Sequence, residues 1–541
     1  MPYRWQRVLT LGACCLLSLG NILAQNAKPA APAIVPLTKP SRGDLNDDAL
    51  FGGMVPIVQL VISPENLNKL AREPRNLVEC SLREKNGPTL ENCLVKLKGS
   101  AGSFRQINDD RPGFSMRIAK VKEQDFHGIT KFMFNNCAQD GTMLHEQMAG
   151  EMARVAGVPA SRCTHAYLTL NNKVLGTYVL KEGFNGEFLQ YFFDDTHGHI
   201  YDGGFCNEIN PNLECDKGNP NEKTRLLELI AACQESQADR RLQRVNRIVD
   251  IDAYLRYVFL EEVLCHWDGY SFNRNNYRIY EEPTVGKFYF ILHGMDQMFG
   301  DPRWYVFRQP GAMVPNAIWG NKDIRARFRR QAFDVYDQAL RKYDWPNRAI
   351  QVAADLKEKI RPIDLEESKR FDQRGADAAR EIRDRLDNVR RQLEDAYQLS
   401  EPTGTKVLLN KYAWQPSNDK GDAQEKHHSK KDCFYLKVGA DGGADFRLQL
   451  SLDPGHYQFG GLMETHGIKG GNAENAKGAR FRISGEGANP KNLGLLGDTP
   501  WTPIVTDFVV TDADPTLIIE IRGSAGELWV DRNSLFLTRL P

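Results

Sequence analysis

The chain has 541 residues, and its 70 Lys and Arg equal its 70 Asp and Glu, so its formal net charge at pH 7 is zero. At about 150 residues per unit, this length predicts three or four units. The balanced charge excludes recruitment of nucleic acid or a membrane by a global field, so a charged partner would need a local patch. The basic cluster RARFRR at 325–330 is interpreted as a solvated helix face.

The N-terminus has the layout of a bacterial secretory signal. Arg4 and Arg7 precede an apolar run at 8–24, which the Ala- and Pro-rich stretch QNAKPAAPA follows. We predict a signal peptide over 1–24 and a flexible tether over 25–47, with an uncleaved membrane anchor as the alternative. The apolar run is shorter than the roughly 20 residues that span a bilayer, and no later segment is long enough. The expected location is therefore secreted, periplasmic or at the cell surface.

Two cysteine pairs are candidates for disulfides if the protein is exported to an oxidising compartment. Cys80 and Cys93 flank a predicted hairpin turn, and Cys206 and Cys215 bracket a short polar loop. The sequence does not fix the pairing. Because no CxxC or Cys/His spacing is present, structural zinc is not expected.

The first part of the chain alternates between strand-like and helical patterns. The stretch 143–157 places Leu144, Met148, Met152 and Val155 on one helical face, which predicts an amphipathic helix with one packed side. Strands are predicted at 55–62, 77–84, 90–99, 114–120, 165–170 and 173–182. Largely helical stretches are predicted at 223–264 and 323–399.

The sequence pattern changes after Pro402. From there, short runs of alternating apolar and polar residues are separated by Gly, Asp, Asn and Pro. Strands at such regular spacing predict a β-sandwich. We therefore expect an α+β protein, with a first domain over 48–400 and an all-β jelly-roll sandwich over 401–541.

Acidic and amide side chains are concentrated in a predicted hairpin at 266–300. Asp268 and Asp296 lie at its two ends in the sequence, and Asn273, Asn275 and Asn276 lie between them. Carboxylate and amide oxygens are ligands that Mg²⁺ accepts. A phosphoryl-transfer site needs a carboxylate for the attacking hydroxyl and an acid and an amide for the metal, and the order of residues here parallels that of protein kinases. Asp268 would accept the hydroxyl proton, Asp296 would hold Mg²⁺, and Asn276, or else Asn273, would supply the amide oxygen.

Four stretches in the same order resemble the CotH kinase family, the atypical kinases named after spore-coat protein H. They are LVKLKGSAGSFR, MLHEQMAGEMARVAGVP, NNKVLGTYVLKEGF, and HWDGYSFNRNNYRIY with LHGMDQMFG. The resemblance covers about 50–399. It implies a secreted or surface-associated protein with a kinase-like fold and a reduced C-terminal lobe. It also implies ATP and Mg²⁺ as cofactors and an exported protein as the phosphorylated partner.

The resemblance also assigns roles to residues. Asp268 matches the catalytic acid and Asp296 the metal-binding acid, while Glu146 is expected to pair with the cation that holds the nucleotide phosphates. Lys98 is the expected cation, with Arg111 and Arg117 as alternatives. The backbone amides of residues 99–103, including Gly99, Ser100 and Ser103, are expected to bind phosphate oxygens of ATP. Glu182 is expected to border the adenine. The sequence departs from the family at Gly294, where many members carry an acid.

The sandwich is similar to modules appended to secreted enzymes, many of which bind carbohydrate. Trp414, Trp501 and Trp529 could stack on sugar rings, with core packing as the alternative for each. Asp531 is a candidate ligand for structural Ca²⁺. His266 and His293 are interpreted as structural histidines, because no third ligand shares their context.

The leading function is thus a secreted atypical kinase that transfers the ATP γ-phosphate to Ser or Thr hydroxyls of exported proteins. The alternative is a non-catalytic, kinase-like surface protein whose sandwich binds glycan or envelope components. A metal-dependent hydrolase that uses Asp268 and Asp296 is disfavoured, because a His- or carboxylate-rich ligand set is absent from their surroundings in the sequence.

Overall fold

The computed structural model describes residues 49–118, 124–471, 478–484, 494–511 and 514–541. The predicted signal peptide and tether lie outside these ranges. Within them, no helix combines the length and the apolar character needed to cross a membrane.

The first part of the chain forms a closed sheet of seven strands in the order β1-β2-β3-β4-β5-β7-β6. Neighbouring strands are antiparallel except β1 and β6, which are parallel and close the sheet. Alternate side chains of each strand point inward and form one apolar core. The elements are β1 (Ile57–Val61), α1 (Pro64–Arg72), β2 (Val78–Glu84), β3 (Thr89–Lys98), β4 (Gly113–Ile118), β5 (Lys131–Asn135), α2 (His145–Val155), β6 (Cys163–Leu170) and β7 (Lys173–Glu182).

Helix α2 is more deeply buried than the sequence predicted. The pattern indicated one packed face, but all of its residues are buried. Its polar side chains therefore need partners inside the protein. Glu151 has one in Arg348, whose Nε and Nη2 each donate to a Glu151 carboxylate oxygen at 2.9 Å.

A second antiparallel sheet, with the strand order β11-β10-β8-β9, follows the closed sheet. Its strands are β8 (Ile200–Asp202), β9 (Glu214–Lys217), β10 (Tyr277–Glu282) and β11 (Lys287–Leu292). The β10–β11 hairpin confirms the predicted one, and its register pairs Tyr277 with Leu292. The segments just before Tyr277 and just after Leu292 therefore leave the sheet at the same end.

Helices α5 and α6 pack on strand β11 of this second sheet. The helices of this part are α3 (Gly186–Leu189), α4 (Thr224–Cys233), α5 (Ala238–Ile248), α6 (Ile251–Val263), α7 (Tyr270–Asn273), α8 (Met313–Ile318), α9 (Lys322–Val335), a π-helical turn (Tyr336–Leu340), α10 (Trp345–Ile360) and α11 (Leu365–Gln398). The stretches predicted as helical, 223–264 and 323–399, contain α4 to α6 and α9 to α11, whereas the short helices α3, α7 and α8 were not predicted.

The described residues of the C-terminal part form strands, as predicted, with one 3₁₀ turn at Arg532–Ser534. Its strands are β12 (Val407–Leu408), β13 (Gln415–His428), β14 (Lys431–Gln449), β15 (Gly455–Lys469), β16 (Gly478–Ile483), β17 (Gly497–Val510), β18 (Thr516–Asp531) and β19 (Phe536–Arg539). The ladder between β14 and β18 shifts register between Gly439 and Gly442. There β14 bends, so that Phe434 and Phe446 of the same strand face each other with ring centroids 4.2 Å apart. The eight strands belong to one connected sheet in the order β12-β19-β15-β18-β14-β13, with β16 paired to β18 and β17 to β15. Its long strands bend over an apolar interior, and we call this region, 401–541, the sandwich.

The helical region and the sandwich pack directly on each other. The Tyr412 hydroxyl donates to Asp395 Oδ2 at 2.8 Å, and the Ser451 amide donates to the Tyr305 hydroxyl at 3.0 Å. Both regions belong to one compact unit of the chain. The predicted boundary near Pro402 coincides with the change from helix to strand.

Both candidate cysteine pairs are free thiols, so neither forms the disulfide that we considered. Cys80 and Cys93 lie directly opposite each other on β2 and β3. Burial raises the pKa of the Cys93 thiol to about 11, which keeps it protonated.

Candidate functional site

A polar cavity of about 730 Å³ lies between the closed sheet and the open end of the β10–β11 hairpin, and we call it the cleft. It collects most of the predicted site residues, although they are spread over almost two hundred positions of the chain. Those that line it are Lys98, Gly99, Ser100, Ser103, Glu146, Asp268, Asn273, Asn276 and Asp296.

The central charged contact of the cleft is an ion pair between Lys181 of β7 and Glu146 of α2. The two side chains are almost fully buried, with residue exposures of 0% and 2%. Burial alone would raise the pKa of Glu146, but the charges of Lys181 and Lys98 hold it below its ordinary value. The predicted role of Glu146 as partner of a cation therefore fits the structure, but the partner is Lys181.

Lys98, the expected partner of Glu146, reaches it only through another residue. Its ammonium donates to Asn135 Oδ1, and Asn135 Nδ2 donates to Glu146 Oε2 at 3.2 Å. Burial and the nearby Lys181 charge lower the pKa of Lys98. The cleft thus holds two lysines beside one glutamate, and the assignment of Lys98 as the direct partner is wrong.

Three asparagines converge on the carboxylate of Asp268. Asn275 and Asn276 donate to Oδ2 at 2.8 and 2.9 Å, and Asn273 donates to Oδ1. Asn276 also donates to the Asp268 carbonyl at 3.1 Å. The asparagines therefore fix the orientation of the Asp268 carboxylate.

Gly294 lies where the loop after β11 meets Asn276. Its φ is +64°, a conformation that favours glycine. A Cβ at this position would come within 2.3 Å of Asn276 Oδ1, so the missing side chain makes room for the amide. The Asn276 oxygen thus faces the loop that carries Asp296, while its nitrogen bonds Asp268.

Asp296 enters the cleft from the same loop. Burial and the neighbouring Glu146 charge raise the pKa of its carboxyl to about 6. Its backbone carbonyl accepts from His145 Nδ1 at 3.2 Å, and the Met295 amide donates to Glu146 Oε1 at 3.4 Å. The start of α2 therefore positions this loop.

His266 and His293 connect the parts of the cleft, as expected of structural histidines. His266 Nε2 lies 2.8 Å from the His293 carbonyl, and His293 Nδ1 lies 3.0 Å from Lys181 Nζ. Among the residues that the structure describes, neither belongs to a group of three side chains able to hold a metal. Burial lowers the pKa of both rings, which keeps them neutral.

The predicted phosphate loop at 99–103 lies at the rim of the cleft. Position 99 requires a glycine for two reasons. Its φ is +107°, and a Cβ there would come within 2.9 Å of the Phe104 backbone. The Ser100 amide donates to Ser103 Oγ at 3.1 Å, and the Ser103 amide donates back to the Ser100 carbonyl at 3.1 Å. These two amides are engaged within the loop, so their expected contact with phosphate is not supported. Arg75, which we did not predict, lines the cleft and bonds the Gly99 carbonyl.

Two other predicted contacts with ATP lie outside the cleft. Glu182 is buried, and its carboxylate accepts from Arg162 Nε at 2.9 Å and Nη2 at 2.6 Å, which makes it a structural ion pair. Arg111 donates to the Thr177 carbonyl and stacks over the Tyr178 ring, and it lines a different cavity. Neighbouring residues on a strand point to opposite faces, which is why Lys181 enters the cleft and Glu182 does not.

The tryptophans of the sandwich divide between core and surface. Trp414 is buried against Phe434, so the alternative of core packing holds for it. Trp501 and Trp529 are half-buried, and their rings lie 6.3 and 4.3 Å from the His428 ring. They share one face of the sandwich.

The Asp531 carboxylate, a candidate calcium ligand, is bonded within the protein. One oxygen accepts from the Asn533 amide at 3.0 Å, and the other pairs with the Lys431 ammonium. Calcium binding at Asp531 stays a prediction.

The site is a highly charged cleft between a sheet and a helical region. It is defined by the lysine–glutamate pair, the asparagine-bound Asp268 and the partly buried Asp296. The stretch of the chain that matches a known family includes all of these residues. The chain belongs to the CotH kinase protein family, which matches residues 98–398.

Curated relatives include several CotH proteins of the fungus Rhizopus delemar. Invasin CotH3 is 25% identical over 253 residues, which are 40% of this chain and 42% of the relative. Invasin CotH7 is 21% identical over 56% of this chain and 54% of the relative. Spore coat protein homolog 1 is 22% identical over 50% of this chain and 47% of the relative. The chain thus spans about half the length of these relatives.

Solved structures similar to a part of the chain include carbohydrate-binding modules. TmCBM61 in complex with β-1,4-galactotriose is 16% identical, with a TM-score of 0.17, over 23% of this chain and 88% of that one. A family 35 module from Clostridium thermocellum is 11% identical, with a TM-score of 0.16, over 23% of this chain and 90% of that one.

Proposed function

We propose that the protein is a secreted atypical protein kinase that transfers the γ-phosphate of ATP to Ser or Thr hydroxyls of exported or cell-surface proteins. The observation that carries this proposal is the Lys181–Glu146 ion pair in the same cleft as Asp268 and Asp296. Phosphoryl transfer depends mainly on positioning and on charge stabilisation, and these four residues supply both.

Lysine ammonium groups would hold the phosphates of ATP. Lys181 is fixed by Glu146 on one side and lies beside His293 on the other, so its position is set before a ligand binds. Lys98 and Arg75 add positive charge along the same wall. Fixed cations cost little reorganisation when a phosphate arrives, which favours tight and oriented binding.

The residues at the end of the hairpin fit a magnesium ion. Asp296 carries a carboxylate whose pKa burial and Glu146 raise, and a divalent cation would relieve that repulsion. Asn276 presents its amide oxygen toward the loop of Asp296. Magnesium bound there would neutralise charge on the phosphates during transfer.

Asp268 is placed to orient the acceptor hydroxyl and take its proton. The hydrogen bonds from Asn273, Asn275 and Asn276 hold its carboxylate in one orientation. Each carboxylate oxygen can accept more than one hydrogen bond, so a substrate hydroxyl can still donate to it.

A titration of the full chain with ATP, with and without Mg²⁺, tests the nucleotide step. We expect binding that strengthens with Mg²⁺, and we expect the Mg²⁺ effect to disappear in Asp296→Asn. Asp301→Asn is the matched control, because Asp301 lies five residues on, outside the residues that line the cleft. Equal affinity with and without Mg²⁺ in the unmodified protein would argue against the proposal.

A second candidate function is glycan binding by the sandwich, which suits the alternative of a non-catalytic surface protein. The supporting observation is that Trp501 and Trp529 are half-buried beside the same histidine. The His428 ring covers one face of Trp529, so Trp501 is the ring better placed to stack on a sugar. Retention of the full chain on insoluble polysaccharides should fall in Trp501→Ala and Trp529→Ala. It should be unchanged in Val505→Ala, an exposed apolar residue of β17. Equal retention of all variants would count against this role.

A further inference from the structure

Three candidate metal ligands meet on the surface of the sandwich, outside the cleft. His428 ends β13, and Glu464 and His466 are two residues apart on β15. Residues i and i+2 of a strand point to the same face, so Glu464 and His466 project side by side. The ligand atoms of these three side chains all lie within 4.8 Å of one another. No other group of three or more His, Cys, Asp or Glu side chains among the described residues meets this criterion.

The three side chains are close enough to share one ion. His428 Nε2 lies 3.0 Å from Glu464 Oε2, within hydrogen-bonding distance, and His466 Nε2 lies 3.7 Å from Glu464 Oε1, which is too long for a hydrogen bond. With metal–ligand bonds of about 2.1 Å, ligand atoms of a tetrahedral site are about 3.4 Å apart. Small side-chain movements would bring both imidazoles and one oxygen of Glu464 to that spacing.

The surroundings hold the ligands and favour a cation. The His428 ring stacks on Trp529, with centroids 4.3 Å apart and planes 22° apart, which restricts its orientation. The cross-strand neighbour of His466 is Glu527, whose carboxylate is paired with Lys437 at 3.0 Å. Lys431 brings positive charge to this face, but its ammonium is paired with Asp531. The Glu464 side chain is 17% exposed and that of His466 is 48% exposed, so the site is open on one side.

We propose that His428, Glu464 and His466 bind Zn²⁺ or a similar transition-metal ion through two imidazoles and one carboxylate. Imidazole ligands select zinc, nickel and copper over calcium and magnesium, which prefer oxygen. Three protein ligands leave a fourth position, which faces solvent and can take a water molecule or an oxygen of a bound ligand. This site is separate from the proposed magnesium site and does not depend on kinase activity.

Calorimetric titration of the full chain with Zn²⁺ tests the site. The titration is made in a Cys206→Ser background, because Cys206 is exposed and its thiol would also bind zinc. His428→Ala and His466→Ala each remove a ligand, and Glu464→Gln keeps the shape while it removes the charge. His456→Ala is the matched control, since His456 is an exposed histidine of the same strand outside the group.

We expect one zinc to bind the parent and the His456→Ala protein with equal affinity. In the three ligand variants the affinity for zinc should fall by at least about tenfold. Loss of a residue that only hydrogen-bonds to a metal ligand already costs about that much. Circular dichroism checks that each variant is folded, and X-ray absorption of the zinc-loaded parent should show nitrogen and oxygen ligands without sulfur. The proposal is overturned if the folded variants bind zinc as tightly as the parent, if the ligands include sulfur, or if the parent binds no zinc.

Discussion

Gly294 and Asn276 are matched by shape: a Cβ on residue 294 would lie 2.3 Å from the Asn276 amide oxygen. The same amide donates through its nitrogen to Asp268. Gly294 stands where many family members carry an acid, which from the sequence alone suggests a weakened site. In the structure, the glycine instead makes room for the amide between Asp268 and the loop of Asp296.

Gly294→Ala should therefore weaken the site. The added methyl group displaces Asn276 and strains a backbone with a φ of +64°, which costs about 1–3 kcal/mol of unfolding free energy. Mg²⁺-dependent ATP affinity should fall about tenfold or more because the amide moves. Gly300→Ala is the control, since a Cβ there meets nothing within 4 Å. Similar ATP affinities in both variants would show that the contact is unimportant.

Removal of Lys181 should destabilise the fold as well as the site. Lys181→Met leaves Glu146 buried without its direct partner, and breaking a buried pair costs about 3–5 kcal/mol. The loss should shrink at low pH, because protonation of Glu146 removes the unpaired charge. Urea denaturation of the variant and of the unmodified protein at several pH values measures this loss of unfolding free energy.

The double variant Lys181→Met/Glu146→Leu distinguishes stability from function. It should recover much of the lost stability, because no charge stays buried, but it should not recover ATP binding. If it binds ATP like the unmodified protein, the pair is structural and has no part in phosphate binding.

The two acids of the hairpin were predictable from the sequence, while their partners were not. Asp268 and Asp296 follow recognisable patterns, and the hairpin between them was confirmed. Lys181 was missed because it lies inside an apolar strand, where the face that it takes depends on the register of the closed sheet. Glu182 was predicted as the residue beside the adenine for the same reason. It is the next residue of the strand after Lys181, and neighbouring residues of a strand lie on opposite faces of the sheet.

The architecture could be predicted further than the contacts. The alternation of apolar residues gave the strands and the change to a sandwich after Pro402, because these are local patterns. The complete burial of α2 and the closure of β1 on β6 involve residues more than a hundred positions apart. The spacing of Cys206 and Cys215 suggested a bridge, but spacing does not determine whether two thiols meet.

The buried Glu261 of α6 should make stability depend on pH. Burial raises the pKa of its carboxyl from an ordinary value of 4.5 to about 8. Between these values the folded chain holds a proton that the unfolded chain releases, so the unfolding free energy decreases as pH rises from 4.5 to 8. Burial also raises the pKa of the adjacent Glu262, to about 7, which acts in the same direction.

In Glu261→Gln, part of this pH dependence should disappear. Urea denaturation of both proteins at pH 5 and pH 8 should give a smaller difference for the variant, mainly because the variant is relatively more stable at pH 8. The same pH dependence in both proteins would mean that Glu261 ionises normally.

Arg385 of α11 should be essential for the position of the site. Its buried guanidinium donates to the carbonyls of Glu262 and Val263 at the end of α6, and to those of Pro302 and Trp304 after the Asp296 loop, at 2.6 to 2.9 Å. Arg385→Met removes a donor from all four carbonyls, of which those of Glu262 and Trp304 keep one from the Cys265 amide and the Gln392 side chain, so stability should fall by several kcal/mol. Thermal denaturation measures the loss, and Arg383→Met, an exposed neighbour, should behave like the unmodified protein. An equal melting temperature for both variants would contradict this role.

The most direct test of the proposed kinase is transfer of label from [γ-³²P]ATP to the protein itself or to a casein-like acceptor in the presence of Mg²⁺. We expect transfer by the unmodified protein and by the Asp301→Asn control. Asp268→Asn should still bind Mg-ATP but transfer no label. Asp296→Asn should also transfer none, because its ATP binding no longer responds to Mg²⁺. Transfer at equal rates by all four proteins, or no transfer by an unmodified protein that binds Mg-ATP, would contradict the assignment of this cleft as a kinase site.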